Sequence, residues 1–467
     1  MKKHTDFSQG SVAGNILRMA GPMILAQLVS VLYSIVDRMY IGHIPGASAN
    51  ALTGVGVTFP VLLMINAFAN LFGTGGVSLF SMARGRGDTK RAQKLMGNTC
   101  AMLLITCAII SAAAGVFMRP VLYAFGASDA TYPYAQAYLS VYLLGTIFVM
   151  LGLGMNGFIN AQGFALRGMG TVVLGAVVNI ALDPIFIFWL DMGVRGAAIA
   201  TVIAQAASAI WAMRFLTGSK SLIRLTLRAL RIRWKLVGEI VKLGFSGFIM
   251  GFTNSAVQTV CNATLQAFGG DVYVGVMTVI SSVREIASAP INGFTSAAQP
   301  VMGFNYGAKK YARVRQGIFF TTAFGLGAMG LIWLAIMLFP NAFCRPFCSD
   351  EALLTACVPS MRIYFFGFYM MALQMAGQAT AVALGRAKQA VFFSLLRKAF
   401  IVVPLTLVLP HIAGLGVNGV FAAEPISNFI GGTACYVTML LTIGREMKRG
   451  ALAEKALDPR REAKKGV

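Results

Sequence analysis

The chain has 467 residues, of which 57% are hydrophobic and 12% are charged, and its mean hydropathy is +0.72. Because soluble domains carry about 25% charged residues, this composition excludes a soluble protein and predicts an integral membrane protein. Lys and Arg number 39 against 16 Asp and Glu, a net charge of +23. In a membrane protein such an excess marks cytoplasmic loops, so we expect the lipid bilayer, and no nucleic acid, as a partner.

Long apolar runs follow one another along the whole chain. A spanning helix needs about 20 apolar residues, whereas a spanning strand shows about ten alternating ones. The runs are continuous, so they predict an all-α integral membrane fold with twelve transmembrane helices. The predicted spans cover residues 16–41, 52–80, 95–117, 134–156, 168–190, 195–216, 238–266, 273–301, 317–339, 358–383, 390–411 and 416–443.

Positive charge is concentrated in alternate loops. Basic clusters precede span 1 and follow spans 2, 6, 8, 10 and 12, whereas the other loops hold few Lys or Arg. The cluster counted after span 10 consists of Arg386, Lys388, Arg397 and Lys398. By the positive-inside rule, we expect both termini in the cytoplasm and a multi-pass protein of the plasma membrane, which is the inner membrane in a bacterium.

The two halves of the chain resemble each other. Residues 80–97 align with residues 300–317 with five identities in 18 positions, and Gly73 and Gly293 extend the match. The motif Gly193-Val194-x-Gly196 recurs as Gly416-Val417-x-Gly419. Since both halves begin on the cytoplasmic side and contain six spans, we predict parallel repeats that form two bundles around a central cleft, an arrangement of secondary transporters.

The repeats define four segments. We expect six-helix bundles at 1–216 and 237–445, a cytoplasmic linker at 217–236 and a basic cytoplasmic tail at 446–467. Basic residues recur in the linker at steps of three or four, which would give a helix one basic face on the anionic inner leaflet. A solvated basic linker without a helix is the alternative. The basic residues of the linker face are Lys220, Arg224, Arg228, Arg231 and Lys235.

Acidic residues inside apolar spans mark functional sites because a charge there is costly. Asp37 lies toward the end of span 1, and Asn179 and Asp183 lie four residues apart, on one face of span 5. Pro184 cannot donate a backbone hydrogen bond, so span 5 should kink there. With a hydroxyl from Thr201 of span 6, these oxygens predict a site for sodium or a proton, or a polar cluster that holds helices together.

The second half offers mainly neutral polar groups. Asparagine and glutamine recur at four-residue steps on spans 7 and 10, where they could line a substrate cavity or join helices, and a methionine lies beside them. Two glutamates could be second titrating sites, unless a basic residue or water holds them. These candidates are Asn254, Gln258, Gln374, Gln378, Met375, Glu285 and Glu424.

Several chemistries are not expected. The seven cysteines and three histidines show no metal-ligand spacing, so we expect no metal other than a sodium ion, no cofactor and no enzyme. The sequence contains no GxxxxGK[ST] phosphate loop, so we expect the energy to come from an ion gradient or from the substrate's own gradient, and not from ATP. Cys344, Cys348 and Cys357 lie close together on the outer side, where either a disulfide or unpaired thiols would fit.

Over residues 11–445 the chain resembles the multidrug and toxic compound extrusion (MATE) family, prokaryotic branch. The resemblance rests on the twelve spans in two repeats and on five segments. These segments read RMAGPMILAQLVSVLYSIVD, ARGRGDTKRA, NYGAKKYARVR, NIALDPIF and GVRGAAIAT. It implies two bundles in a V around a central cleft, and a cation site in the first bundle at Asp37, Asn179, Asp183 and Thr201. Carboxylates that other branches place on helices 7 and 10 are replaced here by glutamines.

The sequence therefore predicts a secondary active multidrug exporter. It would exchange cationic or amphipathic organic compounds for sodium or protons by alternating access. The nearest alternative is a lipid-linked saccharide flippase of the same superfamily, which typically needs a strongly cationic cavity. An integral-membrane enzyme is a more distant alternative, because it would need a His/Asp or Cys/His constellation at one membrane depth.

Overall fold

The computed structural model describes residues 4–42, 48–347, 351–412 and 414–457, and within these ranges the regular structure is helical. The helices of the first half, with the long helix that begins the second, are α1 Val12–Gly42, α2 Ser48–Gly85, α3 Thr89–Val116, α4 Met118–Ala124, α5 Tyr132–Ala161, α6 Ala165–Pro184, α7 Gly193–Thr217 and α8 Trp234–Gly307. The remaining helices are α9 Tyr311–Leu338, α10 Pro340–Cys344, α11 Glu351–Phe365, α12 Met371–Ala383, α13 Ala387–Leu395, α14 Val403–Val408, α15 Val417–Ser427, α16 Thr433–Met439 and α17 Arg445–Leu457.

The helices account for the predicted membrane spans. Eleven helical segments of the described chain are long and apolar enough to cross a bilayer. A twelfth span is formed if the pair Leu353–Phe365 and Phe368–Ala383, bent by 41°, is counted as one. The all-α membrane fold is therefore confirmed.

Two spans that the sequence separates run on as one helix, α8. Its only break is at Gly270, whose φ of 68° and ψ of −166° are not helical. A residue without a Cβ adopts this left-handed φ readily, so the chain bends there between the predicted spans 238–266 and 273–301.

Three spans contain four π-helical segments, which are local widenings in which each N–H bonds five residues back. The first follows Pro184, and Leu190 N–H accordingly donates to the Ile185 carbonyl at 2.9 Å. Such segments are rare and frequently lie at functional sites. They cover Ile185–Trp189, Leu396–Val402, Asn428–Gly432 and Leu440–Gly444.

The chain forms two compact units. Unit 1 comprises Met1–Thr5, Leu25–Arg84 and Asp88–Gly244, and unit 2 comprises the remaining residues. The division near residue 244 lies within α8, beyond the linker 217–236. In unit 1, α5 packs against α3, α6 and α7. In unit 2, α9 packs against α12, and α11 packs against α15.

The basic linker is part of unit 1 and is not an amphipathic helix. Between α7 and α8 it forms turns, extended segments and one short 3-10 helix, Leu227–Leu230. Asn98 of α3 holds it in place: its Oδ1 accepts a hydrogen bond from Arg233 N–H at 2.7 Å, and its Nδ2 donates to the Arg231 carbonyl at 3.3 Å. Gln162 Oε1 accepts from Ile223 N–H at 3.0 Å. These contacts take up backbone groups that a helix would bond internally. The linker is therefore not helical, and its basic residues do not form one helical face.

The segment Asp6–Ile24 near the N-terminus is part of unit 2. Arg313 of α9 donates hydrogen bonds to the Gly10 carbonyl at 2.7 Å and to the Phe7 carbonyl at 3.2 Å. Its Nε donates to Asn305 Oδ1 at 2.9 Å, and Phe7 is fully buried. The start of the chain is thus fixed by residues about 300 positions later.

The repeated glycine motif has the same geometry in both units. Gly193 begins α7 and Gly416 directly precedes α15, and their φ values are 51° and 49°. Three residues later, a Cβ on Gly196 would lie 2.5 Å from the Phe186 carbonyl oxygen, and one on Gly419 would lie 2.7 Å from the Leu409 carbonyl carbon. Each helix therefore starts against the backbone of the preceding one, which only glycine permits.

Alanine at either close-contact glycine should destabilise the protein. The Cβ of Gly196→Ala or Gly419→Ala would press on backbone atoms, so we expect a loss of about 1–3 kcal/mol, the usual cost of overpacking. Gly115→Ala and Gly327→Ala are matched controls in α3 and α9, because nothing lies within 4 Å of a Cβ there. Unfolding in detergent would be measured. Equal stability of all four variants would contradict the packing argument.

Candidate functional site

A buried carboxyl pair lies in unit 1. Asp37 of α1 is half-buried, and Asp183 of α6 is fully buried. The two carboxyl groups are within hydrogen-bonding reach of each other. The structure therefore brings together the two carboxylates that the sequence places in spans 1 and 5.

Asn179 and Thr201 complete this group. Asn179 is 1% exposed and Thr201 9% exposed. Asn179 Nδ2 donates to Asp183 Oδ1 at 3.1 Å and to Thr201 Oγ1 at 3.5 Å. All four residues predicted from the sequence thus lie in one place, because α1, α6 and α7 each contribute one face.

Pro184 and the following π-helical segment position the acidic end of α6. Asp183 occupies the last turn of α6, directly before the proline, and Ile185–Trp189 continue as the π-helix. The kink predicted at Pro184 is thus seen as a change of helix type. It frees backbone groups beside a carboxylate, as is usual where π segments occur at sites.

Two oxygen atoms of the group are left without a donor. Asn179 Oδ1 and Asp183 Oδ2 are buried and accept no hydrogen bond from the residues that the structure describes. A buried acceptor without a partner costs about 1–3 kcal/mol. Carboxylate, amide and hydroxyl oxygens are the ligands that hard cations prefer, so the arrangement suits an alkali cation or a proton.

Three tyrosines that the sequence analysis did not select surround the carboxyl pair. Tyr33 interacts electrostatically with both carboxyl groups, and Tyr138 forms a hydrogen bond with Thr201. The rings of Tyr138 and Tyr142 stack with centroids 6.0 Å apart, and both residues are buried. A four-residue step links Tyr33 to Asp37 on α1 and Tyr138 to Tyr142 on α5. This spacing, which places each pair on one helix face, is the sequence signal that could have identified these tyrosines.

Three of the second-half candidates line a cavity in unit 2. Asn254 and Gln258 of α8 and Glu424 of α15 contribute to its wall. Gln258 donates to Asn262 at 3.2 Å and accepts from Ser281 at 3.3 Å. The polar stripe on the first part of α8 therefore lines a cavity and also joins neighbouring turns.

The other candidates lie outside the lining of this cavity. Gln378 is buried and donates to Ser394 Oγ at 2.8 Å, and the Gln374 carbonyl accepts a weak hydrogen bond from the Cys435 thiol at 3.7 Å. Met375 packs against the apolar core of unit 2. Glu285 is exposed. The Gln378 side chain and the Gln374 backbone carbonyl thus join α12 to neighbouring helices.

Glu424 is held by basic residues. Arg397 donates to its Oε1 at 2.7 Å, and Lys398 donates to both carboxylate oxygens at 3.2 Å. Arg397 also donates to Asn428 Oδ1 at 2.7 Å. All three charged side chains are at most 6% exposed. Arg397 and Lys398, which the charge count assigned to a cytoplasmic loop, therefore lie buried within a predicted span.

The three cysteines that the sequence predicts on the outer side are only partly described. The sulfur atoms of Cys344 and Cys357 lie 3.0 Å apart, and both residues are buried. Cys344 also lies 3.9 Å from the Met361 sulfur. Cys348, the third of the predicted group, is outside the described residues.

A bundle of membrane-spanning helices, built from two related halves and holding a buried carboxyl pair, defines a membrane transporter. The chain matches the MatE family model over residues 22–185 and 246–408, which is more than half of its length, and it belongs to this family. The resemblance predicted from the sequence is therefore confirmed, and the chain is a transporter and not an enzyme.

Related proteins and solved structures agree with this assignment. Multidrug export protein MepA of Staphylococcus aureus strain N315 is 21% identical over 415 residues, covering 88% of this chain and 90% of the relative. MepA of Staphylococcus saprophyticus is 24% identical over 304 residues, covering 65% of this chain and 67% of the relative.

The solved structures show the same fold. A crystal structure of MATE in complex with MaL6 superposes with a TM-score of 0.90 at 23% identity, covering 96% of this chain and 100% of the other. A MOP superfamily transporter from Pyrococcus furiosus, described as having a binding pocket of reverse polarity, gives a TM-score of 0.87 at 23% identity, covering 96% and 99%.

Breaking the buried ion pair of unit 2 should strongly destabilise the protein. Arg397→Met would leave Asn428 Oδ1 without its donor and Glu424 with one cation fewer, and losing one partner of a buried pair costs about 3–5 kcal/mol. Arg386→Met is the matched control, because it breaks the exposed pair between Arg386 and Glu446, for which about 0–1 kcal/mol is typical. Chemical unfolding in detergent would compare them. Similar losses for both variants would show that burial does not govern this pair.

Proposed function

We propose that this protein is a secondary active multidrug exporter that exchanges cationic or amphipathic organic compounds for sodium or protons. The observation that carries the proposal is the contact between the Asp37 and Asp183 carboxyl groups beside Asn179 and Thr201. Residue types alone favour neither ion, because the same oxygens accept a proton or coordinate sodium. The substrate class is supported by the name of the MepA relatives, multidrug export protein.

The chemistry of the site explains why an ion must bind. Two ionised carboxylates in contact repel each other, and the apolar surroundings strengthen that repulsion. A proton or a sodium ion between them removes the repulsion and satisfies the partnerless oxygens of Asn179 and Asp183.

Ion binding is coupled to transport through the helices that carry the carboxylates. Drawing Asp37 and Asp183 together changes the shape of α1 and of the kinked end of α6. In alternating access the ion must favour one conformation and the substrate the other, since a ligand without differential affinity shifts no equilibrium. The ion would favour the outward-open conformation and so release the substrate outside.

The protein would work in the plasma membrane with both termini in the cytoplasm. Excess Lys and Arg in alternate loops support this orientation, although Arg397 and Lys398 no longer count toward it, because they are buried. Arg386 and Lys388 remain in that loop, so the loop is still positively charged and the predicted orientation is unchanged.

The exporter is favoured over a lipid-linked saccharide flippase by the name of its curated relatives, multidrug export protein. A flippase of the superfamily would need a strongly cationic cavity, whereas the cavity of unit 2 that Arg284 and Lys398 line also contains the carboxylate Glu424.

Ethidium efflux from proteoliposomes, under sodium and proton gradients imposed separately, tests the proposal. The unaltered protein should respond to one of the gradients, and Asp37→Asn and Asp183→Asn should each reduce gradient-driven efflux by at least about tenfold, within the usual range of coupling energies. Asp129→Asn is the matched control, because this exposed carboxylate of unit 1 hydrogen-bonds only Tyr123 among the described residues.

Each outcome is decisive when all variants elute as folded protein. Full gradient-driven efflux in Asp37→Asn and Asp183→Asn would remove the carboxyl pair from the mechanism. Absence of efflux in the unaltered protein under either gradient would overturn the multidrug proposal and favour a narrow substrate or a flippase.

A further inference from the structure

Unit 2 contains more buried positive charge than negative charge. Arg397 and Lys398 pair with Glu424, and Arg284 of α8 interacts electrostatically with the same carboxylate. Two guanidinium groups and one amine therefore share one buried carboxylate. Because a guanidinium keeps its charge in a protein, Arg284 and Arg397 alone outnumber Glu424.

Such an excess is costly within a membrane-spanning region. Taking a charge out of water costs several kcal/mol, and only a partner of opposite charge with good hydrogen bonds repays it. Polar groups that face the cluster from neighbouring helices are neutral: Tyr364 of α11, and Asn254 and Gln258 of α8. No described residue therefore supplies the missing negative charge.

Several donors of the cluster also lack an acceptor. Arg397 Nε and Asn428 Nδ2 are buried, and neither has a hydrogen-bond partner among the described residues. Arg397 is 3% exposed and Asn428 is 0% exposed. Arg284 is only half-buried, and it forms no hydrogen bond or ion pair with the part of the chain that the structure describes. The cluster thus offers donors and positive charge in excess.

A small cavity lies where these charges meet. Arg284, Lys398, Tyr364 and Glu424 line it, with the two amides of α8 at its side. Its free space of about 10 Å³ for the centre of a water-sized particle is close to what one water molecule needs. A particle of about the size of a water molecule fits this space, and a monatomic anion is of that order of size.

The local backbone is irregular at this cluster. Arg397 and Lys398 lie in the π-helical segment Leu396–Val402, and Asn428 begins a second one, Asn428–Gly432. Two widened turns on neighbouring helices at the same cluster are unusual, because π segments are rare and concentrate at functional sites. They aim the basic and amide groups from two helices at the region of Glu424.

We propose that unit 2 binds one small monovalent anion of halide size in this cavity, between the Arg284 guanidinium and the Lys398 ammonium group. The anion supplies the negative charge that Glu424 alone does not provide. Binding of this anion is separate from the cation site of unit 1, so it does not depend on the function proposed above.

Equilibrium binding of radioactive chloride to the purified full-length protein in gluconate buffer is the direct test. Binding should saturate at one chloride per chain. Arg284→Gln should weaken it by at least about tenfold, since losing one buried charge partner usually costs that much or more. This variant removes no hydrogen bond of the described residues, so it should fold. Arg386→Gln is the matched control: it removes the same charge from an exposed pair of unit 2 and should leave chloride affinity unchanged.

A second variant reverses the expected change. Glu424→Gln removes the competing negative charge, so it should bind chloride more tightly than the unaltered protein. If this variant does not fold, Lys398→Gln replaces it and should bind more weakly. Absent or unsaturable binding in the unaltered protein, or equal affinity in Arg284→Gln, would overturn the proposal. The chloride experiment contains no gradient and no drug, so its failure would not affect the exchange proposal. Failure of the ethidium experiment would likewise not affect the anion proposal.

Discussion

An isolated charge costs several kcal/mol in the apolar interior of a membrane, and that cost governs where both units place their polar groups. In unit 1 the carboxyl groups of Asp37 and Asp183 lie together, with the amide of Asn179 donating to one of them. In unit 2 the carboxylate of Glu424 lies between Arg397 and Lys398. One unit therefore has excess negative charge and the other has excess positive charge, and in each case a small ion would balance the charge.

Much of the fold could be predicted because a bilayer leaves few alternatives. Each spanning segment must satisfy its own backbone hydrogen bonds, so continuous apolar runs become helices. The site in unit 1 could be predicted in part from local spacing. Asn179 and Asp183 are four residues apart, on one face of a helix, and a proline follows directly. The repeat motif was also informative, since Gly196 and Gly419 prove to occupy equivalent close contacts.

The remaining features depend on tertiary contacts that local patterns do not contain. The linker shows a helical spacing of basic residues, yet Asn98 binds its backbone in a non-helical form. Arg397 and Lys398 follow an apolar run, so a charge count places them in a loop, whereas pairing with Glu424 allows them to be buried. Tyrosine is ordinary in membrane helices, and only the proximity of Tyr33 to Asp37 makes it part of the site.

The anchoring of the chain start by Arg313 affects biosynthesis. Gly10 and Arg313 are separated by 303 residues, and ribosomes add about 5–20 residues per second, so about 15–60 s pass between the synthesis of the two. During that interval the Asp6–Ile24 part of unit 2 must persist without its partners. The beginning of α1 therefore has to be stable in lipid before α9 is made, and the exposed Leu17 on its surface suits that requirement.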